Sequence, residues 1–184
     1  MSAVPLRRAV KILYWNAMVA LLVVGLGWSA WLRRIHRYDA RIEEVGRAQG
    51  VDPRLLSAVI WKESRYRAWA TGARGEIGLM QVTPAAAAEW ARAEKREAPS
   101  RADLFDVDTN LNAGAWYLAR AIRRWSDRGD PLPFALAEYN AGPENARRWA
   151  LDAATPEAFW KGITYPTTRR YVHDILRRYR RKAF

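Results

Sequence analysis

The chain contains no cysteine and only two histidines among its 184 residues. Without cysteine there is no disulfide framework, no thiolate metal site, no cysteine nucleophile and no lipid-anchored cysteine. His36 and His173 lie far apart with no metal-ligand spacing around either, so no metal site is expected. Acidic residues are scarce: 19 Asp and Glu face 31 Lys and Arg, a formal net charge of +12. Such an imbalance suits polyanionic partners, whether nucleic acid, anionic lipid or an acidic polymer. No nucleic-acid-binding motif accompanies the charge, so nucleic acid is not an expected partner. The arginine-dense tail from Arg169 to Lys182 reads as a solvated helix face with affinity for a membrane surface. Strand signals are few, and there is no repeat or low-complexity tract, so the fold should be mainly α. What is abundant is apolar: half of the residues are hydrophobic and ten are Trp, enough for a packed core.

One long apolar run stands out. Ile12 to Leu32 is 21 residues without a charge. At about 1.5 Å per helical residue it can cross a hydrocarbon core of about 30 Å. Tyr14 and Trp15 lie near one end and Trp28 and Trp31 near the other, as at two membrane interfaces. A cleaved signal peptide is the alternative. The run is long for one, and a cut after Ala30 would put bulky Trp28 at the minus-three position. An uncleaved anchor is the favoured reading. Basic residues flank both ends, so charge does not set the orientation. The organisation expected is a basic segment at residues 1–11, a membrane anchor at 12–32 and one domain at 33–184.

Within that domain, turn and cap signals divide the chain into helices. Arg37 to Gln49 should be helical and stop at Gly50. Asp52 can cap a helix from Pro53 to about Arg65. Thr71 to Gly78 holds three glycines and reads as a loop with a small hairpin. Thr83-Pro84 opens a helix through about Glu94. A long helix is expected from about Thr109 to Trp125. Further starts fall at Asp130-Pro131 and Thr155-Pro156, and a final helix runs from about Thr168 to Arg181. On the second helix, Leu56, Val59, Ile60 and Glu63 share one face. A carboxylate thus occupies a slot the pattern assigns to an apolar residue. A buried, unpaired carboxyl keeps its proton near neutral pH, as a general acid acting on a glycosidic oxygen must. The alternative is a helix-end glutamate turned to solvent.

Four segments then occur in order: Glu63-Ser64-Arg65-Tyr66; Gly75-Glu76-Ile77-Gly78-Leu79-Met80-Gln81 with Pro84; Asn112-Ala113-Gly114-Ala115-Trp116-Tyr117-Leu118; and Glu138-Tyr139-Asn140-Ala141-Gly142. Tyr165 and Thr168-Arg169-Arg170-Tyr171-Val172 continue the series. This pattern resembles the soluble-type lytic murein transglycosylases, whose catalytic fold is goose-lysozyme-like. The resemblance covers roughly Tyr38 to Leu176. It implies a mainly α, lysozyme-like (α+β) single domain with a catalytic cleft. It also implies that Glu63 is the sole acid/base, with no metal and no cofactor. Glu63 would protonate the oxygen between N-acetylmuramic acid and N-acetylglucosamine. It would then accept the proton of the muramic acid 6-hydroxyl, leaving a 1,6-anhydro sugar.

The candidate substrate-binding residues are Gln81, Tyr139, Asn140, Tyr171, Gly78, Met80 and Thr71. Gln81 has a donor and an acceptor for sugar groups, or it caps backbone. Tyr139 could donate to Glu63 or to substrate. Asn140 and Gly142 suit a turn at the cleft floor, and Tyr171 suits a cleft wall or the core. Gly78 permits close approach or positive φ. Met80, like Leu79, reads more readily as core than as ligand.

The chain departs from the family at three positions. Gly72 stands nine residues after Glu63, where a serine is usual, with Thr71 as a substitute one residue off. Thr167 replaces a common glutamate. Glu76 replaces a small residue and is expected to face solvent or substrate. Glu76 and Glu138 are the only carboxylates by motif position that could serve hydrolysis with Glu63. The partners implied are peptidoglycan glycan strands, inner-membrane lipid through the N-terminal helix, and a larger envelope assembly. The expected location is a bacterial inner membrane, single-pass, with the domain on the periplasmic side. Hydrolytic muramidase activity and a non-catalytic wall-binding module are the alternatives.

Overall fold

The computed structural model describes residues 6–151, 153 and 155–181. The chain divides into two compact units, Met1–Tyr38 and Asp39–Phe184. The first holds α1, Leu6–His36, a helix of 31 residues. By length and composition it can cross a membrane, and none of its apolar stretch is buried. Val10, Leu13, Tyr14, Trp15, Leu21 and Trp28 are all exposed, as expected of side chains meant for lipid rather than for a core.

The second unit is helical: α2 (Asp39–Gln49), α3 (Pro53–Ser64), α4 (Pro84–Ala93), α5 (Val107–Arg124), α6 (Leu132–Ala141), α7 (Pro143–Ala150), α8 (Pro156–Gly162) and α9 (Pro166–Arg180). The starts follow from cap chemistry. Asp52 accepts from Arg54 N at 2.8 Å, Thr83 from Ala86 N at 3.2 Å, and Thr155 from Ala158 N at 3.1 Å, each followed by proline in the first turn. These side chains satisfy N–H groups that no helical carbonyl can reach. Among the described residues the β content is two isolated antiparallel bridges, Thr71 with Ile77 and Ile77 with Val82. The expected hairpin is reduced to that.

Several elements differ from expectation, α2 among them, since it begins at Asp39 rather than Arg37. Asp106 caps α5 by accepting from Thr109 N at 2.9 Å, so that helix begins two residues earlier. The final helix begins at Pro166. Helix α7 was not anticipated: Gly142-Pro143 reads as a break, but Gly142 turns the chain at φ 85° and Pro143 restarts a helix at once.

Helix α5 packs against α2, α4 and α6; α6 meets α7, α8 and α9; and α3 is clasped between α2 and α9. Leu55, Leu56, Val59, Ile60, Leu111, Leu118, Phe134, Phe159 and Val172 are buried between them. Full burial of each such side chain is worth roughly 1.5–3 kcal/mol. Phe134 stacks on Phe159 with ring centroids 4.0 Å apart and on Trp125 at 5.3 Å.

Candidate active site

The apolar face of α3 fixes where Glu63 stands. Leu56, Val59 and Ile60 are buried, so a residue one turn further on the same face must approach the core too. The helix then stops abruptly. Arg65 and Tyr66 both take left-handed φ, 55° and 59°. The strain is held by Tyr66, whose buried hydroxyl lies 2.6 Å from Ser57 Oγ. The Glu63 carboxyl is left on the wall of a cleft of about 410 Å³ whose lining includes Arg74, Glu76, Gln81, Tyr117 and Tyr139.

Helix α9 runs antiparallel to α3, and three contacts set the register. Tyr171 donates to Glu63 Oε1 at 2.5 Å, Lys62 pairs with Asp174 at 2.7 Å, and Arg178 lies 4.5 Å over the Trp61 ring. Glu63 is therefore half-buried and fixed by one phenol. Burial pushes its carboxyl up to about 7; the Tyr171 hydrogen bond pulls down, Glu76 pushes up, and Lys62 and Arg74 pull down. Desolvation wins because a carboxylate in a low-dielectric wall loses more hydration than one hydrogen bond returns. Tyr171 and Tyr139 are themselves pushed well above the ordinary phenol value, first by burial and then by the charge of Glu63. Both are hydrogen-bond donors at any physiological pH.

The glycine loop forms the facing wall. Gly78 has φ 79°, and a Cβ there would overlap the Asn110 carboxamide. Asn110, buried on α5, accepts from Met80 N at 2.8 Å and donates to Ile77 O and Leu104 O, both at 2.8 Å. One amide thus ties the loop to α5 and to the segment before it. The Met80 side chain is fully buried against Gly114, where a Cβ would come within 2.6 Å of its sulfur. Met80 does not line the cleft; its carbonyl accepts from Tyr139 Oη at 2.9 Å.

The expected site residues therefore separate. Glu63, Gln81, Tyr139 and Asn140 line one cleft, and Tyr171 reaches it through Glu63. The phenol on Glu63 belongs to Tyr171, whereas Tyr139 holds the loop. Gln81, at φ 51°, gives both amide hydrogens to backbone: to Gly78 O at 2.9 Å and to Ala70 O at 3.2 Å. Only its oxygen remains for a ligand. Asn140 accepts from Thr168 at 2.7 Å, one turn before Tyr171 on α9. Thr71 is exposed and does not line the cleft, so it does not replace a side chain at position 72. Glu76 does not face solvent: its side chain is 14% exposed, with Oε1 on Arg74 Nε at 2.9 Å and Oε2 on Arg74 N at 2.8 Å. Glu138 is buried at the cleft base, bonded to Arg124 at 2.5 Å and to Trp125 Nε1 at 2.8 Å. Tyr117, read as packing, lines the cleft, with its hydroxyl on Glu89 at 2.9 Å. Arg74, Asn110 and Glu89 lie outside the sequence motifs. Asn110 carried a signal, being a polar residue one turn before Ala113 and Gly114 on an apolar helix face.

A helical domain with one raised carboxyl on an open cleft matches a known class. The chain belongs to the transglycosylase SLT domain family, which matches residues 41–159. It is 36% identical over 117 residues to membrane-bound lytic murein transglycosylase F of Desulfosudis oleivorans, spanning 62% of this chain and 24% of that protein. It is 35% identical over 144 residues to an X polypeptide of Escherichia coli, covering 71% of this chain and 81% of that one. The 70 kDa soluble lytic transglycosylase Slt70 of Escherichia coli superposes with a TM-score of 0.72 at 25% identity, over 94% of this chain and 28% of that one. The chain thus spans about a quarter of the length of these transglycosylases. The fold is the mainly α, lysozyme-like one.

Proposed function

We propose that this chain is a peptidoglycan lytic transglycosylase with Glu63 as its single acid/base. The observation that supports this best is Glu63 itself: a half-buried cleft carboxyl raised to about 7 and oriented by Tyr171. Near neutral pH such a group holds a proton part of the time and can give it to a glycosidic oxygen. Once ionised, the same carboxylate accepts the 6-hydroxyl proton as that oxygen closes on the anomeric carbon. Atoms balance without water, and a 1,6-anhydro end forms. Hydrolysis needs a second free carboxylate to activate water or form a covalent adduct. The two candidates in the lining, Glu76 and Glu138, are each held by an arginine, which favours the intramolecular route.

Gln81 Oε1 and the Tyr117 and Tyr139 rings would meet the glycan, and the net charge of +12 suits a wall polymer bearing carboxylates. Helix α1 would anchor the chain in a bacterial inner membrane by a single pass, with the second unit, Asp39–Phe184, on the periplasmic side. Cutting would then be confined to wall near the membrane or to a larger envelope assembly. The test is solubilisation of purified peptidoglycan by the full chain in detergent micelles. The wild type should release fragments and Glu63→Gln should release essentially none. Equal release by the folded variant would overturn the assignment of Glu63, and none from either would favour a non-catalytic wall-binding module.

A further inference from the structure

Gly72 raises a question that its backbone does not answer. Positive φ favours glycine, as at Gly75 and Gly78, but Gly72 is not among the positive-φ positions. Any residue could adopt its backbone. What excludes a side chain is space: a Cβ at position 72 would overlap Oε2 of Glu76 and come within 2.9 Å of Gln81 Oε1. The Glu76 carboxylate therefore lies on the bare Cα of Gly72, inside the cleft lining that also contains Glu63.

Nothing about this placement is loose. The turn closes through Gly72 N on Glu76 O at 2.8 Å and Gly75 N on Gly72 O at 3.2 Å. Arg74 then grips both carboxylate oxygens, one with its side chain and one with its backbone N–H. Burial alone would raise the Glu76 carboxyl, but its own backbone N–H and those Arg74 bonds outweigh it and hold the group below the usual range. These bonds offset the cost of shielding the charge, so the carboxylate stays ionised although its side chain is mostly covered.

We propose that Glu76 is a positioning residue for Glu63: its carboxylate, seated on Gly72 and clamped by Arg74, is a fixed negative charge that acts on Glu63 across the cleft. The inference rests on the reading of Glu63 as the acid. Its consequence is electrostatic. A like charge disfavours ionisation of Glu63 and keeps the acid loaded at neutral pH. The same charge favours the positive character that develops at the anomeric carbon. The other charged or titratable groups acting on Glu63 are Tyr171, Lys62 and Arg74, all of which favour its ionisation, Arg74 least and while paired with Glu76. Tyr139 faces it from α6. The glycine at 72 is thereby explained by the carboxylate at 76.

The test is a ¹³C NMR titration of the Glu63 carboxyl in the full chain in detergent micelles, assigned by the signal lost in Glu63→Gln. This readout does not depend on turnover. Glu76→Gln should lower the Glu63 midpoint by about half a unit or more, the size expected of one removed charge at intermediate dielectric. Freed Arg74 pulls in the same direction. Gly72→Ala should do likewise by expelling the carboxylate, and the double variant should shift no further than either single one. The alkaline limb of the activity profile should move to lower pH in step. An unmoved midpoint in Glu76→Gln, or shifts that simply add in the double variant, would overturn the inference. An active Glu63→Gln would overturn the acid assignment instead, whatever the titrations show. Thermal unfolding of each variant confirms that a null result comes from folded protein.

Discussion

Replacing Glu63 by glutamine should stabilise the protein, and only at high pH. Glu63 titrates near 7 when folded and near the ordinary 4.5 when unfolded. Between those values the folded chain holds a proton that the unfolded chain has released. The stability that protonated Glu63 retains below pH 4.5 is therefore lost as pH rises through 7. At 1.36 kcal/mol per unit the gap of about two and a half units corresponds to about 3 kcal/mol. Water reaching Glu63 from the open cleft reduces this to about 1.5–3 kcal/mol. Glutamine is neutral at every pH and can still accept from Tyr171. The assay is thermal unfolding of the full chain and Glu63→Gln in detergent at pH 4 and pH 8. At pH 4 the two should melt together. At pH 8 the variant should melt higher by roughly 3–12 °C, given about 2–4 °C per kcal/mol for a domain of this size. Equal melting at both pH values would show that Glu63 is an ordinary solvated carboxylate, and the acid reading would lose its physical basis.

Other outcomes follow from single contacts. Tyr171→Phe removes the donor that favours ionised Glu63; the Glu63 midpoint should rise by about one to two units, since such a bond is worth about 1.5–3 kcal/mol, and the alkaline limb of activity should follow it. Asn110→Ala leaves the Met80 N–H and the carbonyls of Ile77 and Leu104 without their partner. It should cost about 2–4 kcal/mol in denaturant unfolding and loosen the glycine loop. If α1 spans a bilayer, the chain should stay with membranes through an alkaline carbonate wash, and removal of residues 1–38 should release it.

Local chemistry made much of this legible before any coordinates. Capping side chains followed by proline marked α3, α4 and α8, because orphan N–H groups and a fixed φ depend only on neighbouring residues. The slot held by Glu63 followed from helical period alone. What stayed hidden depends on packing between distant segments. Tyr139 and Tyr171 are equally suited to reach Glu63 by residue type, and only the antiparallel register of α3 and α9, 108 residues apart at that contact, selects Tyr171. Gln81 reads as a free amide until the turn spends its hydrogens on Gly78 and Ala70. Gly142-Pro143 reads as a break because the helix it restarts is set by packing on α6 and α8. Glu76 looks like a surface residue until Gly72 is seen to leave room for it.

Intramolecular cleavage by one carboxyl leaves a chemical signature, read by digesting purified peptidoglycan with the full chain and weighing the soluble products by mass spectrometry. The products should be muropeptides lighter by one water than hydrolytic ones, with none from Glu63→Gln. Products with hydrated reducing ends would contradict it and identify a hydrolase that uses a second carboxylate.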